Sequence, residues 1–244
     1  GAPYRLADTP WRITGGAPAP GQHDGELDQL LQREPRPHGK TRPGAGALAG
    51  IRVLEFTAGM AGPWIGRTMA WCGADVIKVE SRGYPDVTRL YVPPRQPELG
   101  PQSQVSPWFT DWNAGKRFVS LDLTNPAAVA LARQLVAECD VVIDNNGPGV
   151  LDKLGLGFEA LQRDNPGLVL LSSTGYGKFG PDAGYISWGP NIETLSGLAE
   201  LSGFARRECT MTQFAYPDPL SALYGLCAVL AALEHRRKSG AGQV

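Results

Sequence analysis

Histidine is scarce in this chain of 244 residues, and none of its three copies (His23, His38, His235) stands beside a serine or cysteine in a recognisable motif. With no GxSxG elbow either, a Ser-His-Asp hydrolase is disfavoured. Cysteine is equally sparse. Cys72, Cys139, Cys209 and Cys227 are widely spaced and form no CxxC pair, so a zinc site is not expected. Cys72, Cys139 and Cys227 lie in apolar segments and read as reduced, buried thiols suited to a reducing cytosol. The start shows no basic-then-apolar secretory leader. No apolar run reaches the ~18 residues of a membrane span; the stretch from Leu220 to Leu233 is broken by Ser221 and Tyr224. An excess of one charge is also missing. A formal net charge of -1, with 19% charged residues, gives no reason to expect nucleic acid or membrane as a partner. What is present, 42% hydrophobic residues, suffices for one sizeable globular core or two modest ones.

The chain divides near residue 48. Residues 1–48 are rich in Gly, Pro and charge, with one short helical stretch around Glu26 to Gln32. Its Leu27, Leu30 and Leu31 have i, i+3, i+4 spacing. Arg33 to Gly50 reads as a linker. From residue 49 the pattern is that of one α/β domain. Ile51 to Phe56 is a strand candidate, Gly59, Gly62 and Pro63 a turn, and Trp64 to Cys72 a helix closed by Gly73. Val76 to Glu80 is a second strand, completing a β-turn-α-β unit. After a loop rich in Pro and Gly comes a strand at Phe118 to Leu123. A helix follows, capped by Asn125 with Pro126 at its first position, and carries the stripe Ala128, Leu131, Leu135, Val136. Asp140 to Asp144 is a strand, Phe158 to Arg163 a short helix and Leu168 to Ser172 a buried strand. Alternation of this kind predicts a doubly wound, mostly parallel, Rossmann-like sheet with flanking helices. Two helices end the pattern, Ile192 to Ala199 and Pro219 to Lys238. The longer has Leu220, Leu223, Cys227, Leu230 and Leu233 along one side, and basic residues in its last turn.

Such a sheet suggests a dinucleotide site, yet Gly59, Gly62 and Gly66 give GxxGxxxG in place of GxGxxG, and no GxxxxGK[ST] loop exists. The turn at Gly59 and Gly62 admits close approach of a ligand to the backbone, although a tight strand-to-helix turn needs none. Asp218, in AYPDPLSALYG, reads as a helix N-cap with Pro219 at the first helical position. Simple capping accounts for it. The same place stabilises an ionised carboxylate, and an ionised carboxylate can attack an activated acyl group.

Several segments in order carry a resemblance. LAGIRVLEFTAGMAGPWIGRTMAWCGADVIKVES, NAGKRFVSLDL, CDVVIDNNGPGVLDKLGLG, NPGLVLLSSTGYGKFGP, ETLSGLAELSG and AALEHRRKSGAGQV resemble the large domain of family III CoA-transferases over about residues 48–244. The resemblance implies coenzyme A as co-substrate, an acyl-CoA and a carboxylate as substrates, and Asp218 as a nucleophile forming an anhydride and then an aspartyl-CoA thioester. It implies CoA contacts at Met60, Ala61, Leu121, Asn145, Asn146, Gly147 and Lys153. Arg82 stands next to Ser81, which occupies a family arginine position. Pro217 stands where the family has glycine, and Trp188 where the racemase branch has its histidine base, so transfer is implied over racemisation. An interlocked homodimer, or a complementing transferase half, is implied as partner. Residues 1–35 resemble a family C-terminal tail, which suggests a tandem arrangement truncated before the small domain. The departures leave an alternative: a non-catalytic CoA-binding module of a duplicated enzyme, or a racemase or lyase on the same fold.

Overall fold

A computed structural model describes residues 13–31, 46–91, 106–203 and 208–244. Five strands form one sheet: β1 (Arg52–Phe56), β2 (Asp75–Glu80), β3 (Arg117–Ser120), β4 (Val141–Asp144) and β5 (Val169–Ser172). Their order is β3-β2-β1-β4-β5, and every pair is parallel. The chain therefore winds outward one way from β1 and then restarts beside it in the other direction. The crevice between the ends of β1 and β4 is the switch point of a doubly wound sheet.

Helices cover both faces. Helix α1 (Leu27–Leu31), α4 (Pro126–Ala137), α5 (Val150–Lys153) and α6 (Phe158–Asp164) close one apolar core with Leu54, Phe56, Ile77 and Val142. Helix α2 (Ala61–Trp71) and α9 (Pro217–Ser239) close the other, around Val53, Ile65, Val141 and Val229. Each side chain of this size contributes about 1.5–3 kcal/mol on full burial. Helix α3 (Pro107–Asn113) packs on α2, and α7 (Gly189–Leu195) packs on α9 and on α8 (Leu198–Leu201).

Most predicted elements stand within a few residues of their expected places. Asn125 caps α4 through its Oδ1, which accepts from Ala127 N–H, and Gly73 ends α2 at φ 98°. Five expectations change. Helix α2 begins three residues earlier, taking in Pro63. The single helix at Ile192 to Ala199 is two, because Gly197 adopts φ 81° between α7 and α8. Helix α3 lies in what reads as loop; Ser106 caps it by accepting from Phe109 N–H, and Pro107 opens it. Most of the predicted apolar stripe of α9 faces outward, with Leu233 packed on the second core. That helix buries Ala222, Gly225, Val229 and Ala232 instead, since Gly225 lets it approach until an added Cβ would lie 2.9 Å from Ile65 Cδ1. Leu220, Leu223 and Leu230 are exposed, and Cys227 with them. Only part of the predicted linker is described, residues 46–50, and His38 lies outside the described residues.

Residues 23 and 24 dock on the sheet's β3 edge. His23 N–H donates to Phe118 O, Phe118 N–H to His23 Nδ1, and Ser120 N–H to Asp24 Oδ1. Leu30 is buried in the first core.

Candidate active site

In an all-parallel sheet the carboxyl ends of all strands share one edge, and the candidate residues follow those ends. Leu121 follows β3, Arg82 follows β2, Met60 and Ala61 follow β1, and Asn145 to Gly147 follow β4. Lys153 closes α5 just beyond. Arg82, Gly147 and Lys153 are exposed, whereas Leu121 packs into the apolar core.

The turn from β1 into α2 is held by side chains from elsewhere. Asn146 Nδ2 donates to Phe56 O at 2.9 Å. Lys78 Nζ donates to Thr57 O at 2.6 Å. Asn145 takes both backbone groups of Ala58: its Oδ1 accepts from Ala58 N–H at 2.9 Å and its Nδ2 donates to Ala58 O at 2.8 Å. Asp86 Oδ1 accepts from Gly59 N–H at 3.1 Å. Lys116 Nζ donates to Pro63 O at 2.8 Å, inside the first turn of α2.

These anchors belong to a buried charge network. Lys116 Nζ reaches Glu55 Oε1 at 2.6 Å and Lys78 Nζ reaches Asp86 Oδ2 at 2.9 Å, with all four side chains at or below 1% exposure. Glu55 and Lys78 are register partners on β1 and β2, 3.9 Å apart. Gly66 makes room for the network, because a Cβ there would run into Glu55 Oε2. Burial lowers the Lys116 ammonium pKa to about 8, partly opposed by Glu55. At Asp86 burial works against ionisation, yet Lys78 and the Thr88 donors outweigh it and hold the carboxyl below its usual range.

Asp218 is not the N-cap. Tyr216 occupies that place and Pro217 enters the first turn, where a missing N–H costs nothing. Asp218 thus stands inside the helix, and its carboxylate is free to face the turn after β1. The backbone N–H groups of Ala61 and Gly189 lie where they favour its ionised form, while its own N–H donates to Ala215 O at 2.9 Å. Ala61 opens α2 and Gly189 opens α7, so helix starts converge on one carboxylate. Burial pushes the Asp218 carboxyl above its usual range, opposed by those N–H groups. Gly189 has to be glycine: a Cβ there would strike Asp218 Oδ2. The arrangement is a half-buried, poorly solvated carboxylate with its charge held by oriented amides, suited to nucleophilic attack on carbonyl carbon.

The sequence reading passed over Lys78, Asp86, Lys116 and Gly189. A signal existed for the first. A charge sits inside each of the two apolar runs that become β1 and β2, and only buried partners explain that. Nothing local marked Gly189. Trp188 precedes it and is exposed. Among the described residues no group of three or more His, Cys, Asp or Glu converges as metal ligands, and no helix is long and apolar enough to cross a membrane.

A family model described as CoA-transferase family III matches residues 48–244. The succinate–glutarate CoA-transferase of Agrobacterium fabrum is 37% identical over 196 residues, covering 80% of this chain and 49% of its own length. The formyl-CoA:oxalate CoA-transferase of Afipia carboxidovorans is 36% identical over 201 residues, with 82% and 45% covered. A solved CaiB/BaiF family protein from Brucella suis superposes with a TM-score of 0.72 at 36% identity, covering 82% of this chain and 52% of that one. The chain spans about half the length of the curated relatives it matches.

Proposed function

Because this chain belongs to CoA-transferase family III, we propose that it transfers CoA between an acyl-CoA and a carboxylate, with Asp218 as the nucleophile. The observation that carries this reading is the Asp218 carboxylate packed against Gly189, with the Ala61 and Gly189 N–H groups favouring its charge. The ionised oxygen attacks the thioester carbonyl; the C–S bond breaks, CoA leaves as thiolate, and a mixed anhydride forms. The thiolate attacks the aspartyl carbonyl, the donor carboxylate departs, and an aspartyl-CoA thioester remains. An acceptor carboxylate then attacks that thioester, releasing the thiolate and forming a second anhydride. Attack of the thiolate on its acyl carbonyl yields the new acyl-CoA and restores Asp218. No step requires a proton acceptor, which suits a site built from a carboxylate and amides.

CoA lies along the carboxyl edge of the sheet in this reading, past Met60, Ala61, Leu121, Asn146 and Gly147. Arg82 and Lys153 are the exposed cations for its phosphates, Lys153 as a point charge without the bidentate fork of arginine. Named relatives act on succinate, glutarate and oxalate, so small dicarboxylates are the first acceptors to try. Phe179, Ile186 and Leu201 are 78–90% exposed, which favours a second transferase copy or half covering that face. Free cysteines fit a reducing cytosol. Trp188, beside the Asp218 contact, has no group able to move an α-proton, so racemisation is disfavoured.

The test is Asp218→Ala with succinyl-CoA and glutarate. Turnover should fall about a thousand-fold or more, and the wild type should yield a hydroxylamine-sensitive adduct on the peptide holding Asp218. Turnover retained in the variant sinks the assignment. Turnover in the full-length protein without that adduct would favour a non-catalytic module instead.

A further inference from the structure

We propose that Asn145 is a positioning residue for Asp218, acting through the turn between β1 and α2 and not through contact with CoA. The proposal rests on the reading of Asp218 as the nucleophile. Its geometry is local and continuous. The Asn145 carboxamide bonds Ala58 N–H and Ala58 O together. Gly62, in the first turn of α2, rests directly on it: an added Cβ would lie 2.8 Å from Asn145 Cγ and 2.7 Å from Thr57 Cγ2. Ala61, between these two contacts, turns its N–H toward the Asp218 carboxylate and favours its ionised form. One side chain therefore fixes the entry to α2, supports its first turn, and sets where the Ala61 amide points.

The neighbouring anchors bear on the same turn from other sides. Lys78 and Asp86 hold Thr57 and Gly59 from β2 and the loop after it, and Asn146 holds Phe56. Asn145 differs in touching both the turn and the helix. Its consequence is electrostatic. An N–H aimed at a carboxylate favours the ionised form, so loss of the Ala61 bond makes Asp218 harder to ionise. The shift at Asp218 stems from burial and backbone N–H groups, with no charged side chain contributing.

Asn145→Ala tests this in two ways. Labelling of Asp218 by a carbodiimide and an amine, followed by peptide mass against pH with no CoA present, gives the ionisation midpoint. It should move upward by roughly half a pH unit or more. In turnover, kcat should fall about ten-fold with KM for acyl-CoA within two-fold. Asn145→Ser is the second variant, used where the alanine protein does not fold; a hydroxyl cannot bridge both Ala58 groups, so the same shift is expected. An unchanged midpoint in a folded variant overturns the proposal, and a raised KM with unchanged kcat and midpoint makes Asn145 a CoA contact. Retained turnover in Asp218→Ala would defeat the nucleophile reading alone, since the labelling shift is measured without turnover.

Discussion

The two halves of the site are held in opposite ways. On the β1 side, backbone groups of Phe56, Thr57, Ala58, Gly59 and Pro63 are pinned by five side chains from other parts of the fold. On the α9 side, few such anchors exist among the described residues. Glu193 accepts from Thr212 N–H and Thr212 Oγ1, and a groove of about 520 Å³ lies open beside Tyr216 and Pro217. Buried charge organises the first half; small residues against the sheet and large ones in solvent organise the second. The difference separates two tasks. The amide that faces Asp218 from α2 is preorganised, while the helix that carries Asp218 turns an apolar surface outward.

Lys116→Met breaks the comparison most severely. It leaves Glu55 buried beside Lys78 and Asp86 with one cation removed, and unfolding free energy should drop about 3–5 kcal/mol in urea melts. Adding Glu55→Gln should return part of that loss, since the stranded charge goes with it. Gly189→Ala attacks the other side. Its methyl displaces the Asp218 carboxylate and presses on Ala215, so turnover should fall roughly ten- to a hundred-fold and the melting temperature should drop as well. The smallest effect belongs to Leu223→Ser on the outer face of α9. Leu223 is 54% exposed, and stability of the chain should stay within about 0.5 kcal/mol. A larger loss would mean that this face is already covered.

The strands were legible because a parallel sheet buried on both faces needs short runs of Val, Ile and Leu, and these stand out at 51–56, 76–80, 140–144 and 168–172. Caps at Asn125 and Gly73 were legible because their chemistry is local. Helix α3 was not, since its seven residues carry Trp, Phe, Asp and Asn in place of a clear apolar stripe. The α9 stripe misled because leucine spacing reports a possible buried face, whereas the face chosen was the one whose glycine and alanines permit close approach. Asp218 is expected at the N-cap and stands two residues further in. Pro217 and Pro219 can each open a helix, and only the fold distinguishes them.

By itself the sequence determined an alternating α/β chain, a carboxylate at the start of its longest helix, and the order of segments that marks the family. Tertiary structure alone decided what that carboxylate faces. Ala61 stands more than a hundred residues of chain from both Gly189 and Asp218, and their meeting follows from sheet order. Parallel strands bring the turns after β1 and β4 to one edge, and the close seat of α9 on α2 and β5 carries Asp218 to it. The charged residues inside β1 and β2 were visible in the sequence, but their partners were not. A buried ion finds its counter-ion through packing, because the cost of leaving it alone depends on surroundings no local pattern records.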